Sequence, residues 1–294
     1  MRFLFVDRIL ALTEGKTIQG IKHVTSDDTY LCEDVSGSYF FMPSLIGEAV
    51  GQLAAWNVML TNGFKGRPVA GVVQQAIMHR PVWVGETVLL EAFIDALDEE
   101  AVSYHGRASV NGDIVFELDA ALGPILSMDT FIDEAVVRSQ FDEIYRPGSF
   151  EEVQASMPLE MVIEQDTIRP MRCMFDGIVE HVPGQAIIAQ KKITSASAYF
   201  RDHFPKSPVL PMTVLLECKR HLACLFLQQA CFDTSYQVWA FNKIKMNTFV
   251  RPGDTLVCHM HVQDKNEERM ILRSRSEVNG RRVCVADIIL KAMR

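Results

Sequence analysis

Between residues 44 and 61 apolar side chains fall on nearly every side of a helical wheel: Leu45, Ile46, Ala49, Val50, Leu53, Ala54, Trp56, Val58, Met59 and Leu60. A helix apolar all round is buried all round, so this stretch predicts a central helix. The pattern then changes from helical to alternating. Strand-like runs follow at 69–80, 87–96, 101–110 and 113–122, with a turn at Pro81–Thr87 and a hairpin turn at Asn111-Gly112. Asn-Gly between alternating runs is a strong hairpin signal, because both residues tolerate the positive φ that a tight turn needs. The same series recurs later: a helical stretch at 212–229, then runs at 270–278 and 281–290 around Asn279-Gly280. Residues 17–31 and 186–200, rich in β-branched side chains, read as extended. Residues 129–145 have helical composition.

The recurrence is a duplication. At a shift of 169, Asp7 meets Asp176, Gly15 meets Gly184, Lys22 meets Lys191, Thr25-Ser26 meets Thr194-Ser195, and Glu48 meets Glu217. From residue 82 on a shift of 168 serves: Gly85-Glu86-Thr87 meets Gly253-Asp254-Thr255 and Val110-Asn111-Gly112 meets Val278-Asn279-Gly280. Each copy reads as a helix followed by a largely antiparallel sheet, best packed with the sheet around the helix. The expected organisation is a first unit at 1–123, a connector at 124–168 and a second unit at 169–294. The connector is acidic, carries Pro124, Pro147-Gly148 and Pro158, and has no counterpart in the second copy.

Candidate chemistry gathers in residues 200–221. His203 opens a loop stiffened by Pro205, Pro208 and Pro211, each fixing φ and biasing the residue before it to an extended shape. Thr213 is placed to cap the helix that follows. Glu217 lies within that helix among apolar neighbours, where a carboxylate needs a partner or a task. One bland role is a structural pair with His221, four residues on.

These residues resemble the 3-hydroxyacyl-(acyl carrier protein) dehydratase family. His203-Phe204-Pro205, then Leu210-Pro211, then Glu217 fourteen residues after the histidine follow that family's signature. Val250-Arg-Pro-Gly-Asp254, Leu4-Phe-Val-Asp-Arg8 and Glu48-Ala-Val-Gly-Gln52 resemble its sheet turn, opening strand and Glu-x-x-x-Gln helix step. The resemblance implies an α+β class: a double hot-dog, two antiparallel sheets each wrapped around a central helix, fused as a pseudo-dimer. In single-unit relatives the histidine and the carboxylate of a site come from different chains. Carried over, the resemblance implies a catalytic pair of His203 and Glu48, with Gln52, Pro211 and Phe204 in support. The opposite site would be vestigial, because Asp34 stands where the first copy should have its histidine, facing Glu217.

The implied reaction removes water from a 3-hydroxyacyl thioester on an acyl carrier protein, in fatty acid, polyketide or related acyl-chain biosynthesis. Neutral imidazole suits removal of the C2 proton. A carboxyl on an apolar helix suits proton delivery to the leaving hydroxyl. The alternatives within the fold are an enoyl-coenzyme A hydratase or a thioesterase; outside catalysis, a hot-dog subunit or acyl-binding partner of a synthase assembly. No cofactor or metal is expected: the sequence has no glycine-rich phosphate loop and no His/Cys cluster at zinc spacing.

Composition adds limits. The chain has 294 residues, 48% hydrophobic and 22% charged, which is ordinary globular composition. A net charge of −8 argues against a general nucleic-acid binder. Residues 1–150 hold 10 Lys+Arg against 21 Asp+Glu, so the deficit lies in the first half and the second half is net positive. An acidic carrier protein is therefore expected to dock near Arg201, Lys206, Lys219 and Arg220. Seven scattered cysteines without Cys-x-x-Cys spacing, the early charges Asp7 and Arg8, and the lack of a long apolar run predict a reduced cytoplasmic protein with no membrane span. Further homo-oligomerisation is compatible with all of this.

Overall fold

The computed structural model describes residues 3–151, 172–230 and 232–293. The expected connector from 152 onward, with Pro158, the boundary at 169 and Cys231, lies outside the described residues. In chain order the strands and helices begin with β1 (Arg8–Thr13), β2 (Thr17–His23), β3 (Leu31–Glu33), β4 (Tyr39–Phe41), α1 (Pro43–Thr61) and β5 (Gly66–Pro68). They continue with β6 (Val72–Met78), β7 (Thr87–Leu97), β8 (Ala101–Val110), β9 (Asp113–Ser127) and α2 (Glu134–Ile144). The rest are β10 (Gly177–Val182), β11 (Ala186–Lys192), α3 (Met212–Ala230), β12 (Tyr236–Met246), β13 (Thr255–Lys265), β14 (Arg269–Val278) and β15 (Arg281–Ala292).

The chain divides into two compact units: Leu4–Val69 with Met78–Arg172, and Met1–Phe3 with Ala70–Ile77 and Cys173–Arg294. In the first, the antiparallel order is β1-β2-β7-β8-β9, with β5 paired to β9. In the second it is β6-β12-β15-β14-β13-β11-β10, again antiparallel throughout. The second unit thus takes β6 from the first sequence copy, pairing Ala76 with Phe241 and Val73 with Ile244.

α1 starts on Pro43, whose missing N–H costs nothing in a first turn. It ends at Asn62-Gly63, where Gly63 at φ +68° lets its N–H reach Leu60 O. Eleven of its residues are buried, including Leu45, Val50, Leu53 and Val58, so it is the core element that the pattern predicts. Two expected extended stretches break early. Asp28 N–H bonds Thr25 O while Asp28 Oδ2 accepts from Thr25 N–H, so β2 stops at His23. At the matching place Ser197 N–H bonds Thr194 O, and Ala198–Arg201 forms a 3-10 turn. Thr and Asp side chains that close turns override β-branched composition here. β9 instead runs longer than expected, to Ser127, because its end pairs with β5; residues 124–127 are strand and not connector.

The duplication is visible in backbone detail. Asp7 Oδ2 accepts from His23 N–H at 2.6 Å, and Asp176 Oδ2 accepts from Lys192 N–H at 2.6 Å. β1 and β10 carry bulges at matching places, as do β7 and β13. One edge differs. Ile9 and Leu10 are 0% and 3% exposed, whereas their counterparts Ile178 and Val179 are 44% and 62% exposed. In the first unit Arg146 and Gly148 donate backbone N–H groups to Ile9 O and Leu10 O, and Phe141 of α2 packs on Trp56 and Phe64.

Candidate active site

Within the second unit the loop ahead of α3 is held at both ends. His203 N–H bonds Tyr199 O at 2.9 Å, Val209 N–H bonds His203 O at 3.2 Å, and Leu210 N–H bonds Val250 O at 2.8 Å. The Val250–Asp254 turn braces it further, since Arg251 Nη1 reaches Ser207 Oγ at 3.1 Å. Phe204 is buried and its ring stacks on the imidazole, centroids 4.1 Å apart. Phe3 meets the imidazole edge-on at 5.8 Å, and its own N–H is held by Asp202 Oδ2 at 2.7 Å. The His203–Phe204 peptide is cis. Burial pushes the Tyr199 phenol up to about 12, so the residue beneath the loop stays neutral.

The decisive contact is His203 Nδ1 at 3.1 Å from Val209 O. A carbonyl only accepts, so Nδ1 carries the proton, and whenever the ring is neutral its lone pair lies on Nε2. The prolines on either side of Val209 explain why the carbonyl is there: Pro208 and Pro211 leave the short segment little freedom. α3 begins at Met212, with Leu215 N–H bonded to Pro211 O at 3.1 Å. Thr213 therefore lies inside the first turn and not at the cap, which falls to buried Pro211.

In the first unit, Glu48 is half-buried on α1. Gln52 Nε2 donates to Glu48 Oε1 at 3.0 Å, and Gln52 Oε1 accepts from Phe5 N–H at 2.8 Å. The i, i+4 spacing puts both side chains on one face, and the second bond fixes which way the amide points. Two residues near Glu48 have no signature in the sequence. Burial pushes the Arg67 guanidinium down to about 10, partly offset by the negative charge of Glu48. Burial, then that same charge, pushes the Tyr104 phenol up. Gly51, one turn from Glu48, lets the Tyr104 hydroxyl approach: a Cβ there would lie 3.3 Å from it.

The remaining expectations divide. Asp34 closes its own turn, accepting from Ser36 Oγ at 2.7 Å, Ser38 N–H at 2.8 Å and Ser36 N–H at 2.9 Å. The Ser36 hydroxyl leads in holding its carboxyl below the usual carboxylate range. Glu217 is buried and receives Arg220 Nε at 2.7 Å, an ion pair at i, i+3. One docking assignment is corrected: Lys219 is fully buried and presents no cation to a partner's surface. Arg220 is half-buried, with its Nε held by Glu217. Arg201 and Lys206 are exposed. Among the described residues no helix is long and apolar enough to cross a membrane, and no group of three or more His, Cys, Asp or Glu side chains is placed to hold a metal ion.

A family model, the FabA-like domain, matches residues 168–287. The 3-hydroxyacyl-[acyl-carrier-protein] dehydratase FabZ of Oenococcus oeni is 30% identical over 119 residues, spanning 40% of this chain and 85% of that protein. The chain belongs to the 3-hydroxyacyl-(acyl carrier protein) dehydratase family. Another of its relatives, a FabZ of Enterococcus faecalis, is 29% identical over 133 residues, covering 43% of this chain and 94% of that protein. Among solved structures, a MaoC-like dehydratase aligns over 95% of this dehydratase and 98% of its own chain, with TM-score 0.57 and 9% identity. An acyl-ACP thioesterase from Bacteroides thetaiotaomicron aligns over 94% and 97%, with TM-score 0.53 and 13% identity. At such identities these two show the fold alone, and the fold is of the hot-dog type. The FabA-like match takes in the whole His203-to-Glu217 signature of the dehydratase.

Proposed function

We propose that this dehydratase converts a 3-hydroxyacyl thioester on an acyl carrier protein to the 2-enoyl thioester, in fatty acid, polyketide or related acyl-chain biosynthesis. In this reading the two copies form a double hot-dog, a fused pseudo-dimer in which His203 works with Glu48 while Asp34 and Glu217 mark a retired site. The observation that carries it is the bond from His203 Nδ1–H to Val209 O, which sets the tautomer needed for a base at Nε2. His203 Nε2 takes the proton from C2. The C3 hydroxyl leaves as water with a proton passed through the Glu48 carboxyl, and the former C2–H electron pair becomes the C2=C3 double bond. Gln52 orients Glu48, and backbone N–H groups at the start of α3 stabilise the developing charge on the thioester oxygen. The burial of Glu217 against Arg220 supports its retirement, and the exposure of Arg201 and Lys206 supports their use in receiving the acidic carrier.

The test supplies a 3-hydroxyacyl carrier-protein thioester and follows loss of water by mass. His203→Ala and Glu48→Gln each lower turnover by roughly 10²- to 10⁴-fold, the range for a lost acid or base. Glu217→Gln leaves it near the parent value. Equal loss on Glu217→Gln would overturn the assignment of the carboxylate.

A further inference from the structure

The second unit holds a buried polar cluster that its duplicate lacks. Cys258 on β13, Ser276 on β14 and Cys284 on β15 stand directly opposite one another in register. Ser274 lies two residues before Ser276, and Lys219 comes from α3. All five are fully buried. Lys219 Nζ donates to Ser274 Oγ at 3.1 Å and to Cys284 Sγ at 3.4 Å. Ser274 uses its own proton on Ala286 O at 2.9 Å, so its oxygen is an acceptor toward the lysine. Among the described residues no carboxylate pairs with Lys219.

The first copy shows what this place requires for folding alone. Leu90, Ala108 and Phe116 form the equivalent cross-strand row. Gly106 stands for Ser274 and Val50 for Lys219, packed so closely that a Cβ on Gly106 would lie 2.5 Å from Val50 Cγ1. Five apolar positions have thus become an amine, two hydroxyls and two thiols in one copy. A lysine inside a core is costly, and the apolar duplicate shows that the fold does not need it. The two thiols of the row cannot serve each other. β14 lies between their strands, placing them roughly 10 Å apart by strand spacing, beyond disulfide reach. Cys284 Sγ instead accepts from the amine and points its own proton to Val285 O at 3.7 Å.

We propose that Lys219 and Cys284 are the two ends of an oxidative N–O–S bridge. One N–H bond of the neutral amine and the S–H bond break, and N–O and O–S bonds form. Dioxygen is the oxidant: one of its atoms becomes the bridge and the other leaves as water. Nitrogen and sulfur each give up two electrons, and dioxygen takes four. A small apolar oxidant dissolves in a protein core, so full burial does not bar it, and the core fixes the geometry of the two ends. The bridge ties α3, which begins where the His203 loop ends, to β15. It does not depend on which carboxylate serves the reaction.

The full-length protein is prepared under argon with a reductant, and a second portion is exposed to dioxygen. Both are digested without reduction and sequenced by mass spectrometry. The oxidised portion yields the Lys219 peptide joined to the Cys284 peptide, heavier by one oxygen and lighter by two hydrogens than the separate peptides, and parted by dithiothreitol. Cys284→Ser and Lys219→Arg remove that species, and Cys258→Ala keeps it. Recovery of Cys284 only as a free thiol, a sulfinic or sulfonic acid, or a disulfide would overturn the proposal. Because this reading is made on the unsubstituted protein, it stands even where a variant fails to fold.

Discussion

Asn57 lies on α1, nine residues beyond Glu48, and is completely buried. Its Nδ2 donates to Thr13 O at 3.0 Å and Thr17 O at 2.9 Å, and its Oδ1 accepts from Gly15 N–H at 2.8 Å. One side chain thus pins the β1–β2 turn to the central helix. Asn57→Leu keeps the branched four-atom shape of the side chain and leaves no cavity, so the lost hydrogen bonds lead the cost. Three neutral bonds at about 1 kcal/mol each give a loss of about 3 kcal/mol. Two partners keep a second contact, Gly15 N–H with Thr61 Oγ1 at 2.9 Å and Thr13 O with Lys16 N–H at 3.0 Å, which softens the loss. The expected net cost is therefore about 2–3 kcal/mol, or a fall of roughly 4–12 °C in Tm for a unit of this size. Differential scanning calorimetry reads the shift, and amide exchange at Gly15 reads its origin. The segment leading into β1 includes Phe5, whose N–H holds Gln52, so turnover should also fall more steeply with temperature in the variant than in the parent. A Tm within about 1 °C of the parent, with Gly15 exchange unchanged, would refute the reasoning, since each lost bond alone should exceed that.

Gln52→Leu removes the bond that orients Glu48; a hydrogen bond is worth about 0.5–1.5 kcal/mol, so turnover should drop roughly 2- to 10-fold, and unchanged turnover would separate Gln52 from the reaction. Phe141→Ala strips the aromatic cover from Trp56 and Phe64 and should cost about 3–5 kcal/mol in urea unfolding; a loss under about 1 kcal/mol would mean that α2 is not part of the core. Burial pushes the Cys218 thiol up from 9.0 to about 12, with the Lys191 charge opposing. A raised folded value means that stability is fully present below pH 9 and is lost as pH rises from 9 toward 12, because only the unfolded chain forms thiolate there. Cys218→Ala should flatten that decline in urea titrations, and an identical slope would exclude the thiol as its source.

The parts of the fold that were legible in sequence are those set by local period and turn chemistry. α1 follows from an unbroken apolar helical run, and the β8–β9 and β14–β15 hairpins follow from Asn-Gly. The tautomer of His203 was half legible: the prolines announced a fixed loop, but the carbonyl that meets Nδ1 depends on a reversal of chain between 203 and 209. Arg67 and Tyr104 were not legible as neighbours of Glu48, because strand pairing at long sequence separation brings them there. β6 read correctly as a strand, yet its pairing with β12 is a tertiary choice that alternation cannot encode. Lys219 was misread for a different reason. In the run Glu217-Cys-Lys-Arg-His221 it looks like part of a polar face. Its spacing from Leu215, Leu216, Leu222 and Ala223 puts it on the apolar stripe, and the stripe prevails over the residue type.

The cover over β1 bears on where the polypeptide can be severed. A first repeat cut at Gly123 would lose the end of β9 and with it the partner of β5. It would also lose Phe141 from Trp56 and the backbone donors to Ile9 and Leu10. Such a fragment would present a bare apolar strand edge, the usual seed of sheet-to-sheet aggregation. A fragment carried through Gly148 keeps that edge sealed, and is the one of the two that should stay in solution.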